Sequence, residues 1–253
     1  MTRMHRAGMA VVIGVLAAGA ASPARAQIQG MPLFTNPRYA TGLRVHADLG
    51  LPTDKNAGLG DYNVIQGGLT FALWRLGVGV NAGMTSNDFK TVTSGGTTTN
   101  VGTAHKVTAS ALAQLRILGG GSSLWSLSVF GGASYDVSAY DFKSIPTSVK
   151  DSLNSTNPKF LTIPVGVALG LKLPLVVVTP NIWVAPRFNL TKVANCPTGA
   201  TCNTDSKFRW AAGIDVPILR IFSVRAAYDS GKIGSQTVNY FGVGASVGIG
   251  GMR

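Results

Sequence analysis

An alternation with a period of two runs through the chain from Tyr39 onward, and it restricts the chain to strands. The last run states it most plainly. Phe241, Val243, Ala245, Val247 and Ile249 alternate with Gly242, Gly244, Ser246 and Gly248. Successive side chains on a strand point to opposite faces, so one face here is apolar and the other is glycine with a single serine. The first face suits lipid and the second a crowded or wet interior. Ten such runs follow one another, at about 39–50, 62–74, 75–85, 104–117, 124–137, 159–173, 175–190, 207–217, 219–229 and 237–249.

The connections between runs alternate in length. Residues 51–61, 86–103, 138–158 and 191–206 are long and polar. The turns at Trp74 and Arg75, at Gly119, Gly120 and Gly121, at Pro174, and between Pro217 and Leu219 are tight. An up-and-down barrel puts odd connections at one end and even ones at the other. Outer-membrane barrels pair short periplasmic turns with longer external loops and an even strand number. The fold class expected is therefore all-β: a closed antiparallel up-and-down transmembrane barrel of about ten strands. Eight remain possible if the eighth and ninth form a hairpin outside the wall. Both chain ends are expected on the short-turn side.

The outward parity carries Ile65, Leu69, Phe71 and Leu73 in the second run and Ile163, Val165, Val167 and Leu169 in the sixth. The charged residues that share this parity, Lys159 and Arg220, stand at run ends. A lipid-facing Arg or Lys costs about 2–4 kcal/mol at mid-depth, so a charge-free middle is informative. Trp125, Tyr135, Phe188, Phe208, Trp210 and Tyr228 sit near run ends, where interfacial girdles belong. Pro164, Pro180 and Pro186 fall inside runs, and Pro cannot donate to a ladder. They mark bulges or the limits of pairing, or else an open sheet in a soluble periplasmic β protein.

The start of the chain reads as a leader. Arg3 and Arg6 precede an apolar stretch at residues 10–21, and Ala24 and Ala26, on either side of Arg25, supply small residues for cleavage before Gln27. The apolar stretch is shorter than the ~20 residues of a spanning helix. The organisation expected is a signal peptide at 1–26, an N-terminal extension at 27–38 and a barrel domain at 39–253. The net charge is +12, every acidic residue is Asp, and there is no Glu. A basic balance suits nucleic acid, anionic lipid or anionic polysaccharide, and export removes nucleic acid from that set. Cys196 and Cys202 form a close pair in an exported chain, which suggests a disulfide, with two free thiols as the alternative. No metal-ligand spacing or phosphate loop stands out, so no metal or cofactor is expected.

The inward parity holds the polar residues. Arg44, His46, Asp48, Asp136, Arg187, Arg209, Asp215, Arg225 and Asp229 form an expected lumen network. Buried charges are costly unless paired, so salt bridges that rigidify the interior are one reading, and a narrow pore or small-solute site is the other. Glycines such as Gly68, Gly170, Gly242 and Gly244 face inward and leave space. Lys55, Lys90, Lys143, Lys150, Lys192 and Lys207 lie in or beside long loops, as does Lys106. They form an expected external rim of ammonium groups, for which phosphorylated lipopolysaccharide is a natural counter-ion. His46 and Asp48 offer a base and a carboxylate but no placed nucleophile or second carboxylate, so no catalytic residue is assigned.

The leader, the paired strands and the glycine-rich closing strand resemble the outer-membrane β-barrel domain superfamily of small Gram-negative proteins, the OmpA-like, OmpX-like and OmpW-like barrels. The resemblance covers about Tyr39 to Ile249 and is one of pattern. It implies the cell outer membrane as location, membrane lipid and the barrel-insertion machinery as partners, and a structural, surface or narrow-transport role. His46 and Asp48 also look superficially like part of an omptin-type outer-membrane hydrolase, although no tandem Asp pair accompanies them. Such barrels usually end on an aromatic residue. This chain ends with Ile249, Gly250, Gly251, Met252 and Arg253.

Overall fold

The computed structural model describes residues 31–39, 41–53, 61–89, 92–94, 97–99, 102–120, 123–138, 141–142, 159–175, 178–194, 204–219, 221–233 and 236–249. Ten long strands form a wall: β1 Gly42–Pro52, β2 Asp61–Leu73, β3 Leu76–Phe89, β4 Gly102–Leu118, β5 Trp125–Asp136, β6 Phe160–Lys172, β7 Asn181–Val193, β8 Asp205–Pro217, β9 Phe222–Ile233 and β10 Gln236–Ile249. Each is antiparallel to its neighbour in sequence, and β1 pairs with β10, so the sheet closes on itself. The closing register runs from Leu43 opposite Ile249 to Pro52 opposite Tyr240. Short strands at Val92–Ser94, Thr97–Thr99 and Asp141–Phe142 belong to the long connections. Residues 1–26, where a leader is expected, and Cys196, Cys202, Lys55, Lys90, Lys143 and Lys150 lie outside the described residues.

The ten-strand expectation holds. The eight-strand alternative fails because β8 and β9 carry ladders on both sides. One boundary needs correction. The seventh strand begins at Asn181, not at 175, and Pro174 makes no tight turn. Residues 173–175 and 178–180 lie outside the strands, and the Leu173 N–H donates to the Pro180 carbonyl at 2.9 Å. Pro174 and Pro180 both lack a donor, so the segment cannot extend the ladder. Pro164 and Pro186 stay inside strands, each skipped by the ladder on one side and in register on the other, Pro164 with Asn189 and Pro186 with Trp210. The β5–β6 pairing breaks between Gly131 opposite Val165 and Ser134 opposite Thr162. The β6–β7 pairing breaks between Val184 opposite Leu169 and Arg187 opposite Gly166.

The alternation becomes an inside and an outside. In β10, Phe241, Val243, Val247 and Ile249 are exposed, while Gly242, Ser246 and Gly248 are buried. Ile65, Leu69, Val80, Val165 and Val167 project outward on other strands. Among the described residues, mid-strand outward positions carry no charge, and Lys159, Lys192 and Lys232 sit at strand ends. Aromatic pairs flank the band on the long-loop side: Phe188 edge-on to Phe208 at 5.6 Å, and Trp210 tilted on Tyr228 at 5.8 Å. On the short-turn side Trp74 and Trp125 are largely exposed. Trp74 takes a φ of 53° in the two-residue turn between β2 and β3, the left-handed geometry that such hairpins demand.

Lipid is the solvent that this surface fits. Val80→Arg, near the middle of β3, should cost about 2–4 kcal/mol of stability in bilayers, while Leu73→Arg, beside the turn, should cost about 0–1 kcal/mol. Denaturant unfolding of both variants in lipid vesicles checks the difference. Equal losses would remove the apolar band.

Candidate functional site

Strands about 4.8 Å apart and tilted about 40° close, at ten, on a cylinder of about 10 Å radius, which after inward side chains leaves room for one extended chain. Residues 31–39 take that space. Met31 is 1% exposed and packs against Val64, Val238 and Tyr240 near the long-loop end. Leu33 packs with Phe130, Trp183 and the wall alanines Ala168, Ala185, Ala211 and Ala227. At the short-turn end the Arg38 guanidinium donates to the carbonyls of Gly120, at 2.7 Å, and Ser123. The Tyr39 hydroxyl donates to the Arg75 carbonyl, and burial raises its phenol above the ordinary range. The segment thus runs down the lumen and reverses into β1. This corrects two expectations. The chain before β1 does not stay on the short-turn side, because Met31 lies at the long-loop end. The inward glycines Gly170 and Gly242 do not leave space. A Cβ at Gly242 would meet Pro32 at 2.9 Å, and one at Gly170 would meet Pro37 at 2.7 Å.

The segment makes few demands on its surroundings for backbone partners. Pro32 and Pro37 have no N–H to satisfy. The Leu33 N–H donates to Asp229 Oδ2 at 3.3 Å, Thr35 to the Leu33 carbonyl at 3.1 Å, and Arg38 to Asn36 Oδ1 at 2.9 Å. The Asn36 carbonyl accepts from Gln114 Nε2 at 3.2 Å.

Three ionic clusters surround this plug. Arg187 and Arg209 stand directly opposite each other on β7 and β8, an arrangement that repels unless an anion bridges it. Asp229 of β9 is that anion, fully buried, with Arg187 Nη2 at 2.5 Å and Arg209 Nη2 at 2.7 Å. Asp229 therefore binds two guanidinium groups and the plug backbone together. Asp48 is held by Arg225 through two hydrogen bonds at 2.7 and 2.6 Å and by Gln66 at 2.9 Å, with His46 Nε2 at 3.8 Å. Arg225 also stacks on Phe34 of the plug at 4.4 Å. Near the long-loop end, Asp136 takes Lys106 Nζ at 2.5 Å, the Thr108 hydroxyl and the Phe160 N–H. Lys106 belongs to this cluster and not to the outer rim, because its parity on β4 turns it inward.

All nine residues of the expected lumen network point into the barrel. Arg187, Arg209 and Asp229 meet in one cluster, and His46, Asp48 and Arg225 in another. Asp136 joins Lys106. Arg44 donates to the hydroxyls of Ser223 at 3.1 Å and Ser246 at 3.2 Å. Asp215 lies beside Asn36, Arg44 and Arg225. Sequence reasoning missed Leu33, Phe34 and Arg38 as lumen residues. Of the rim lysines that are described, Lys192 is exposed and Lys207 pairs with Asp205 at 3.0 Å. The His46 ring is buried, with Nε2 donating to Asn81 Oδ1 at 2.6 Å, so it is engaged in packing the lumen and does not stand at a rim.

A closed sheet, an apolar exterior that among the described residues carries no charge at mid-strand, and a polar interior define an outer-membrane-type transmembrane β-barrel. No protein-family model matches the sequence, and no curated protein matches it. Solved structures similar to it include the N-terminal barrel domain of Pseudomonas aeruginosa OprF, at 8% identity and a TM-score of 0.33, covering 83% of this chain and 100% of that one. The translocator domain of the autotransporter NalP from Neisseria meningitidis is 11% identical with a TM-score of 0.43, covering 83% and 90%. The outer membrane protease OmpT of Escherichia coli is 10% identical with a TM-score of 0.36, covering 83% and 95%. These likenesses are loose, and the class rests on the barrel geometry itself.

Removing one partner of a buried ion pair costs about 3–5 kcal/mol, because the other charge is left uncompensated. Asp229→Asn strands two guanidinium groups and should show at least that loss in unfolding measurements. Lys207→Ser, at a half-exposed pair, should change stability by less than about 1 kcal/mol.

Proposed function

We propose that this chain is an outer-membrane barrel with a structural or surface role, its lumen closed by its own N-terminal segment and by paired charges. The observation that supports this is the burial of Met31, Pro32, Leu33, Thr35 and Pro37 within the barrel, with Asp229 holding the Leu33 backbone and both facing arginines. A filled interior stiffens the wall and blocks a continuous water path, so surface loops stand on a rigid base. In planar bilayers the wild type should give no current steps above background. Deleting residues 27–38 should give small steps, provided that the variant still migrates as a folded, heat-modifiable barrel. Steady conductance from the wild type would overturn the closed-lumen reading.

The partners that suit this role are membrane lipid, the insertion machinery that would read the β10 closing strand, and lipopolysaccharide. Lys192 and Lys207 lie at the long-loop end, and Lys55, Lys90, Lys143 and Lys150 belong to the same connections in sequence. Ammonium groups there would meet lipid phosphates. Replacing these six lysines by serine should weaken lipopolysaccharide binding to the folded barrel. Unchanged binding would eliminate the rim contact.

A further inference from the structure

The plug does not fill the bore evenly. Beside it lies a partly open cavity of about 320 Å³, between residues 31–39 and the wall. Its lining runs from Gly77, the second residue of β3, and Pro217, the last of β8, at the short-turn end to Gln66 and Met31 further up the bore. That volume falls at the low end of small-molecule sites, which span about 300–1,000 Å³.

We propose that this cavity binds a small amphiphilic carboxylate: one anionic group on a compact apolar body. Among the described residues, three guanidinium groups, those of Arg38, Arg44 and Arg225, line it with one carboxylate, Asp215. Asp48, behind Arg225, holds that guanidinium at 2.6 Å. The arginines are held before any ligand arrives. Arg225 is gripped by Asp48 and stacked on Phe34, Arg44 is bonded to two serine hydroxyls, and Arg38 to two turn carbonyls. A pre-set cluster of this kind loses little entropy on binding an anion, and a walled-in position limits screening. Apolar side chains share the lining: Leu33, Phe34 and Tyr39 of the plug with Leu112 of the wall. A site that combines guanidinium donors with ring and aliphatic surfaces selects for charge and shape together.

The test uses the full mature chain folded in zwitterionic micelles, with benzoate as probe and benzyl alcohol and benzylamine as neutral and cationic counterparts. Calorimetric heats are corrected with empty micelles. Benzoate should bind saturably and at least tenfold more tightly than either counterpart. Arg44→Gln should lower benzoate affinity at least tenfold and leave benzyl alcohol unchanged. Gly79→Leu offers a second variant, because a Cβ there makes only ordinary contacts at 3.5 Å while the side chain fills the cavity. It should abolish binding without loss of heat-modifiable migration. Equal heats for the three probes, or benzoate binding unaltered in both variants, would overturn the site. Bilayer conductance reads the closed lumen and calorimetry reads the cavity. A conducting wild type that binds benzoate removes the first alone, and a closed barrel that ignores benzoate removes the second alone.

Discussion

In hydrocarbon an unpaired backbone N–H or C=O has no water to turn to, so a sheet there can have no edge. The β1–β10 ladder meets that requirement and everything else follows from it. Once the wall is closed, each side chain is assigned to lipid or to lumen by parity alone. The lipid side then has to be free of charge at mid-depth, and the charges that the chain carries on its strands must go inward or to the ends. Closure also fixes the radius, and the radius fixes what can lie inside.

The interior is a problem of charge before it is one of packing. Arg187, Arg209 and Arg225 with Lys106 would repel one another in a medium of low dielectric. Asp229, Asp48 and Asp136 answer them at separations of 2.5–2.7 Å. Pairs of this sort add little net stability over an apolar core, but they are costly to break, so they select one arrangement over its neighbours. Asp229 links that selection to the plug, because its carboxylate also takes the Leu33 amide. Leu33 sets the apolar side of the same contact by packing on Trp183 and the small alanines around it.

Much of the wall was legible in residue order. The two-residue period marked ten strands, and the lengths of the connections marked the two ends. Parity sorted Asp229, Arg187 and Arg209 to the inside, but parity does not say who meets whom. Those partners come from register across strands, and Arg187 reaches Asp229 over 42 positions. Lys106 was misread because it stands near a long loop in sequence, while its place on β4 opposite Thr85 turns it inward. Residues 173–180 were misread because an apolar run was given more weight than the two prolines that frame it. The plug left the weakest trace. Its residues show no alternation, and an aperiodic stretch between a leader and a first strand reads as a linker. The available signal was composition: Met31, Leu33 and Phe34 are too apolar for an exposed tail, and Pro32 and Pro37 discourage pairing with the wall.

Those prolines explain why the segment lies in the lumen without becoming an eleventh strand. A chain of ordinary residues along the axis would bring an N–H every 3.3 Å or so into a bore whose wall has already paired its own backbone. Two of the seven residues from 31 to 37 have no donor to place. Leu33 uses Asp229, and Thr35 turns back on its own chain. The wall answers with glycine where the proline rings press, at Gly170 and Gly242. The glycine face of β10, which first reads as vacancy, is thus one half of a fit whose other half is supplied by Pro32 and Phe34.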